Sequence, residues 1–139
     1  MLDLHVGIGR SFSMKHKFVY LLAAIVLFIF GFLYLVAPVP GLRIYGYDVS
    51  AADLAVTIAR YWGSAFVGLA FILWLGRKAQ VGSIGVSAIN YGGFAVSLSG
   101  LVVAVLDVVS GGPNALIWLT IALYAIFSVL FGLLVFKKK

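Results

Sequence analysis

Four long runs of apolar residues, separated by short polar or turn-forming segments, make up most of this chain. The first covers residues 18 to 38 without a charge. The second covers 51 to 76 and holds Asp53 near its start and Arg60 within it, and the others cover 81 to 106 and 114 to 136. At about 1.5 Å of rise per residue, each is long enough as a helix to cross a hydrocarbon core of roughly 30 Å. The pattern predicts an all-α integral membrane four-helix bundle filling residues 18 to 136. Short connections make neighbouring helices antiparallel. Residues 1 to 17 read as a basic N-terminal tail and 137 to 139 as a basic C-terminal one.

The first run competes with a signal peptide, because Arg10, Lys15 and Lys17 precede it. Its length, and the lack of a small-residue cleavage pattern before Pro38, favour a retained helix. Met14 reads as an alternative translation start. Pro38 and Pro40 should end this helix, and Gly41 and Gly46 permit turns in the connection that follows. Ser50 and Asp53 resemble a capping box at the start of the second helix, with Asp in place of the usual Glu.

Composition agrees with the pattern. The chain is 64% hydrophobic and 10% charged, against roughly 25% charged in soluble domains, and its mean hydropathy is +1.18. Without cysteine there is no disulfide, thiol chemistry, thiolate zinc or iron–sulfur ligation. The net charge of +6 must be read by location. Arg10, Lys15, Lys17, Arg77, Lys78 and Lys137 to Lys139 fall on one side, and Arg43, Asp48, Asp53 and Asp107 on the other. Basic residues in short loops stay cytoplasmic, so both termini are expected there. These charges read as topology signals and contacts with anionic lipid, not as a nucleic-acid surface. Tyr34, Tyr45, Tyr47 and Trp118 fall at the expected outer interface, and Tyr20 and Trp74 at the inner one.

Arg60 is the sharpest chemical lead, since a cation inside an apolar helix costs about 2.5–3.5 kcal/mol on insertion scales and calls for compensation. Asp53, Thr57, Arg60, Ser64 and Gly68 form one stripe at helical spacing, expected to face the interior, with Trp62 nearby. Asp107 is a second acidic candidate. In the third helix Ser83, Ser87, Asn90 and Ser97 share a face, and Gly92, Gly93 and Gly100 add small-residue contacts, so this helix should be the most buried. The Phe-rich first helix should face lipid. Thr57 to Tyr61 match Thr120 to Tyr124 except at Arg60, a faint two-hairpin repeat that would set Tyr124 beside Arg60. Two uses of these residues stay open. They either form a structural tie in a polar seam between the second and third helices, or line a site for an anionic headgroup or small molecule.

Some chemistries find no support. The two histidines, His5 and His16, lie in the N-terminal tail, so haem between helices is not expected. No acid lies deep in a helix, as a proton-coupled exporter would need, and no nucleophile and base can be paired. No metal, cofactor or catalytic set is expected.

Arg60-Tyr61-Trp62-Gly63 through Gly68-Leu69 to Trp74-Leu75-Gly76-Arg77, with Ser110-Gly111-Gly112-Pro113-Asn114-Ala115-Leu116-Ile117-Trp118, resembles a group of uncharacterised small prokaryotic membrane proteins. Their pattern has Arg-x-x-Gly in the second helix and Asn-Ala-x-x-Trp opening the fourth, and it is distantly similar to the DoxX-like proteins. The resemblance implies a four-helix membrane fold in a prokaryotic cell membrane and brings no activity with it. Asn114 is explained as a helix cap and Trp118 as an interface anchor. The sequence therefore suggests a structural or accessory membrane protein acting through helix contacts with a partner or itself. The alternative is a lipid or small-molecule binding or transport protein centred on Arg60.

Overall fold

The computed structural model describes residues 3–111 and 115–136, with side chains from His16 onward. The cap expected at Asn114, the tail at Lys137 to Lys139, and the side chains of Arg10 and Lys15 lie outside the described residues. Five helices follow in order: α1 (Asp3–Val36), α2 (Pro38–Ile44), α3 (Leu54–Gly76), α4 (Ile84–Val109) and α5 (Ile117–Phe136), with no strand among the described residues. Four segments are long and apolar enough to cross a membrane: His16–Val36 of α1, and α3, α4 and α5. The helix α1 itself runs unbroken from Asp3 through the segment expected to be a tail.

Local chemistry sets the breaks. Pro38 cannot donate a backbone hydrogen bond, and its ring would crowd the carbonyl of Tyr34, so α1 stops before it. The same fixed φ suits the first turn of a new helix. The segment expected to be irregular thus folds as α2, with Pro38 in its first turn. Gly46, Gly82 and Gly111 take φ values of 87°, 88° and 85°, the left-handed region that side chains resist, and they reverse the chain after α2, before α4 and after α4. Ser83, expected on the polar face of a helix, is instead the N-cap of α4, its hydroxyl accepting from Val86 N–H. Half of the expected capping box forms: the Asp53 carboxylate accepts from Ser50 N–H, while Asp53 itself takes the N-cap position of α3. Arg43 donates to Val49 O at 3.0 Å and ties the connection to α2.

Packing divides the spanning helices into two hairpins. α1 lies along α3 and α4 along α5, whereas α1 meets α5, and α3 meets α4, over much shorter stretches. In the first hairpin Gly31 and Gly63 bring backbone against backbone. A Cβ on Gly63 would lie 2.6 Å from Leu35 N and 2.7 Å from Gly31 O, and one on Gly31 would lie 2.9 Å from Gly63 O. The second hairpin uses glycines as seats for rings, Gly93 under Phe131 and Gly100 under Tyr124. Contacts run in opposite order along both pairs, so each hairpin is antiparallel.

Two expectations are corrected. The Phe-rich first helix does not simply face lipid. Val19, Tyr20, Ala23 and Ala24 join Leu73, Phe127, Phe131 and Leu134 in the main apolar cluster, because the small residues of α1 admit close neighbours while its phenylalanines point outward. The third spanning helix, α4, is the least buried of the four rather than the most. Its small residues divide between two faces, and only one of them meets α5.

Candidate functional site

Polar atoms are brought together where α1 enters its apolar stretch and α4 begins. Tyr20 is completely buried and Asn90 is 6% exposed. The Tyr20 hydroxyl lies 3.0 Å from Val86 O and 2.8 Å from Asn90 Oδ1. A phenol has one hydrogen to donate. Both neighbours are served best when it donates to Val86 O and accepts from the Asn90 amide, whose nitrogen and oxygen exchange places by a half-turn. His16 stands edge-on to Tyr20, ring centroids 5.6 Å apart, and is fully buried with no hydrogen-bond partner on either nitrogen among the described residues. Phe131 closes the other side of Tyr20 at 6.2 Å. The group therefore ties the first hairpin to the second.

This cluster replaces the polar seam expected between the second and third spanning helices. The face of α3 turned inward carries Val56, Ala59, Gly63, Ala70 and Leu73, and Thr57, Arg60, Ser64 and Gly68 point outward. The reason is steric: Ala59 and Gly63 let α3 approach α1 more closely than a stripe containing Arg could. Arg60 lies six residues past Leu54, about 9 Å below the helix end at the α-helical rise, which places its head within snorkelling range of the interface. Ser64 donates to its own Tyr61 carbonyl, and Trp62 is 62% exposed.

The remaining candidates do not converge. The Asp53 carboxylate closes the turn from Ser50 that precedes α3, and Asp107 is exposed near the end of α4. Ser97 is buried on α4, where its face meets α5, and Tyr124 lies over Gly100 instead of beside Arg60. The five-residue repeat has no equivalence in packing either, since Ala59 is buried and Ala122 exposed, Arg60 exposed and Leu123 half-buried. No group of three or more His, Asp or Glu side chains could hold a metal among the described residues.

At the end of the bundle opposite the Tyr20 group, Tyr45 and Thr120 share a hydrogen bond of 3.0 Å, a further polar link between the hairpins. Sequence reasoning set Tyr20 in an interfacial belt and missed its role. The signal was present in the spacing, because Tyr20 shares a helical face with Ala24 and Gly31, small residues in an otherwise bulky helix.

The outward face of α4 is the other organised feature. Gly85, Ala88, Gly92, Ala95 and Ser99 alternate at spacings of three and four, all of them exposed. A Cβ added to Gly85 or Gly92 would meet nothing within 4 Å among the described residues. The buried face of the same helix runs through Val86, Asn90, Ser97 and Ala104. Thus α4 carries two small-residue seams, one filled by α5 and one open.

Replacing Arg60 by Leu should leave the fold intact, because its neighbours on the inner face of α3 are untouched. Yield and thermal unfolding in detergent should stay within about 0.5 kcal/mol of the parent, as for surface substitutions generally. A loss of folded protein would mean that Arg60 is tied inside the bundle after all.

No protein-family model, curated protein or solved structure matches the chain.

Proposed function

We propose that the protein is a structural or accessory integral membrane protein that works by helix contacts made through the open face of α4. The observation that carries this reading is the run Gly85, Ala88, Gly92, Ala95 and Ser99, exposed and empty above its glycines. Lipid tails are as apolar as leucine, so helices associate in membranes through close backbone approach, and small residues at spacings of three and four provide it. A second copy is the first partner to test, since a small-residue face can pack on its own two-fold mate. The distribution of Lys and Arg supports both termini being cytoplasmic. The alternative, a lipid or small-molecule site around Arg60, draws no support from the packing, because Thr57, Arg60 and Ser64 face outward on α3 while Asn90 and Ser97 are buried on α4 and Tyr124 lies on α5.

Native mass spectrometry of the gently extracted protein tests the reading. A defined homo-oligomer or a stoichiometric partner supports it, and Gly92→Leu should abolish that association while unfolding stays unchanged within about 0.5 kcal/mol, as expected where nothing packs. A monomer carrying a small molecule that is lost on Arg60→Leu would sink it in favour of binding or transport.

A further inference from the structure

We infer that a cleft at the end of the first hairpin binds the phosphate of an anionic phospholipid. Lys17, Arg77 and Lys78 line it together with Phe18 and Leu21, around a space of about 420 Å³, within the roughly 300–1,000 Å³ typical of small-molecule sites. The antiparallel course of α1 and α3 builds it: Gly76 at the end of α3 lies against Tyr20, one turn from Lys17 on α1, so Lys17 comes level with the residues that follow Gly76. Three cations, one on α1 and two just past the end of α3, therefore converge at the level where headgroups lie.

Arg77 sits over Trp74, its guanidinium carbon 3.6 Å from the ring centroid. This cation–π contact uses no N–H acceptor, so the guanidinium keeps its donors for phosphate oxygens. Of the acids whose side chains are described, Asp48 and Asp53 lie in the connection before α3 and Asp107 near the end of α4, all at the other end of the spanning helices. None competes for these cations. Phe18, 63% exposed, and Leu21 continue the cleft into the apolar zone. Cations above and apolar side chains below match the order of a lipid, headgroup then acyl chain. A free phosphate would use only the first half. The site is independent of the α4 face, which looks outward from the other hairpin.

Fluorescence of Trp74 reads the cleft directly. The full chain carrying Trp62→Phe and Trp118→Phe is placed in phosphatidylcholine vesicles containing a minor fraction of either brominated phosphatidylglycerol or brominated phosphatidylcholine. Each cation near an anionic surface strengthens binding by about fivefold, so brominated phosphatidylglycerol should quench Trp74 at a mole fraction at least tenfold lower than its zwitterionic counterpart. Lys17→Gln with Arg77→Gln and Lys78→Gln should erase that preference, and inorganic phosphate should not reverse it. Equal quenching by the two lipids, a preference that survives the triple substitution, or reversal by phosphate would each overturn the inference. Because removing basic residues can disturb insertion, retention of phosphatidylglycerol against phosphatidylcholine by the unaltered chain in native mass spectrometry provides an independent test. Retention of one anionic lipid per chain supports the site, and indifference to headgroup defeats it.

Discussion

Gly63→Leu should leave the first hairpin unable to close and the protein largely unfolded. The obstacle to a side chain at this position is not a flexible neighbour that could rotate away. It is the Leu35 amide nitrogen at 2.6 Å and the Gly31 carbonyl oxygen at 2.7 Å from the first added carbon. Inserting methylenes into a packed core costs typically 1–3 kcal/mol even where side chains can yield, so a leucine pressed against backbone should cost more than about 3 kcal/mol. Gly63→Ala gains about 0.5–1 kcal/mol of helix propensity and still loses on balance, because α1 must move away along its length. Gly68 supplies the control on the same helix, since an added carbon there meets nothing within 4 Å. Gly68→Ala should be neutral or stabilising by up to about 1 kcal/mol. Unfolding by denaturing detergent, followed by circular dichroism, separates the two. Equal behaviour of the alanine variants at the two positions would refute backbone contact between α1 and α3.

Tyr20→Ala should be nearly as damaging, for a different reason. Tyr20 is fully buried between His16, Phe131 and the start of α4, so its removal opens a ring-sized cavity where the two hairpins meet. Aromatic-to-alanine changes in cores cost about 3–5 kcal/mol. Tyr20→Phe keeps the ring and removes only the hydroxyl shared by Val86 O and Asn90. Hydrogen bonds between membrane helices average ~0.6 kcal/mol and reach ~1.7, so this variant should lose about 1 kcal/mol. A double-mutant cycle with Asn90→Ala should recover most of that loss as coupling. If Tyr20→Phe proved as costly as Tyr20→Ala, polar pairing rather than packing would hold the hairpins together.

The number of spanning helices was legible because water and lipid sort residues along the chain. Pro38, Gly82 and Gly111 mark breaks by steric rules that need no tertiary information. Which side of each helix turns inward was not legible by hydrophobicity, since in a membrane the outside is as apolar as the core. Arg60 then drew attention to the wrong face of α3. The closer guide was the set Ala59, Gly63 and Ala70, whose small volume marks where α1 fits. The same ambiguity affected α4, where glycine, alanine and serine occupy both faces and sequence spacing alone cannot say which of them α5 fills. Tyr20 escaped notice because a tyrosine near a span end is usually an interfacial anchor. Here the neighbouring Ala23 and Ala24 give its ring room to turn inward.

Because α1 packs on α3 and α4 on α5, the extensive contacts join spans that follow one another in the chain, separated only by short connections. Loop-closure entropy grows slowly with length and is small for such neighbours. The first hairpin can complete its Gly31–Gly63 contact before any residue of α4 has left the ribosome, since nothing in that contact comes from later in the chain. The Tyr20–Asn90 and Tyr45–Thr120 links, which span 70 and 75 residues, must wait for α4 and α5 respectively. The order of synthesis is thereby mirrored in the packing: the closest backbone contact lies within the half that emerges first, and the cluster that joins the halves waits for α5.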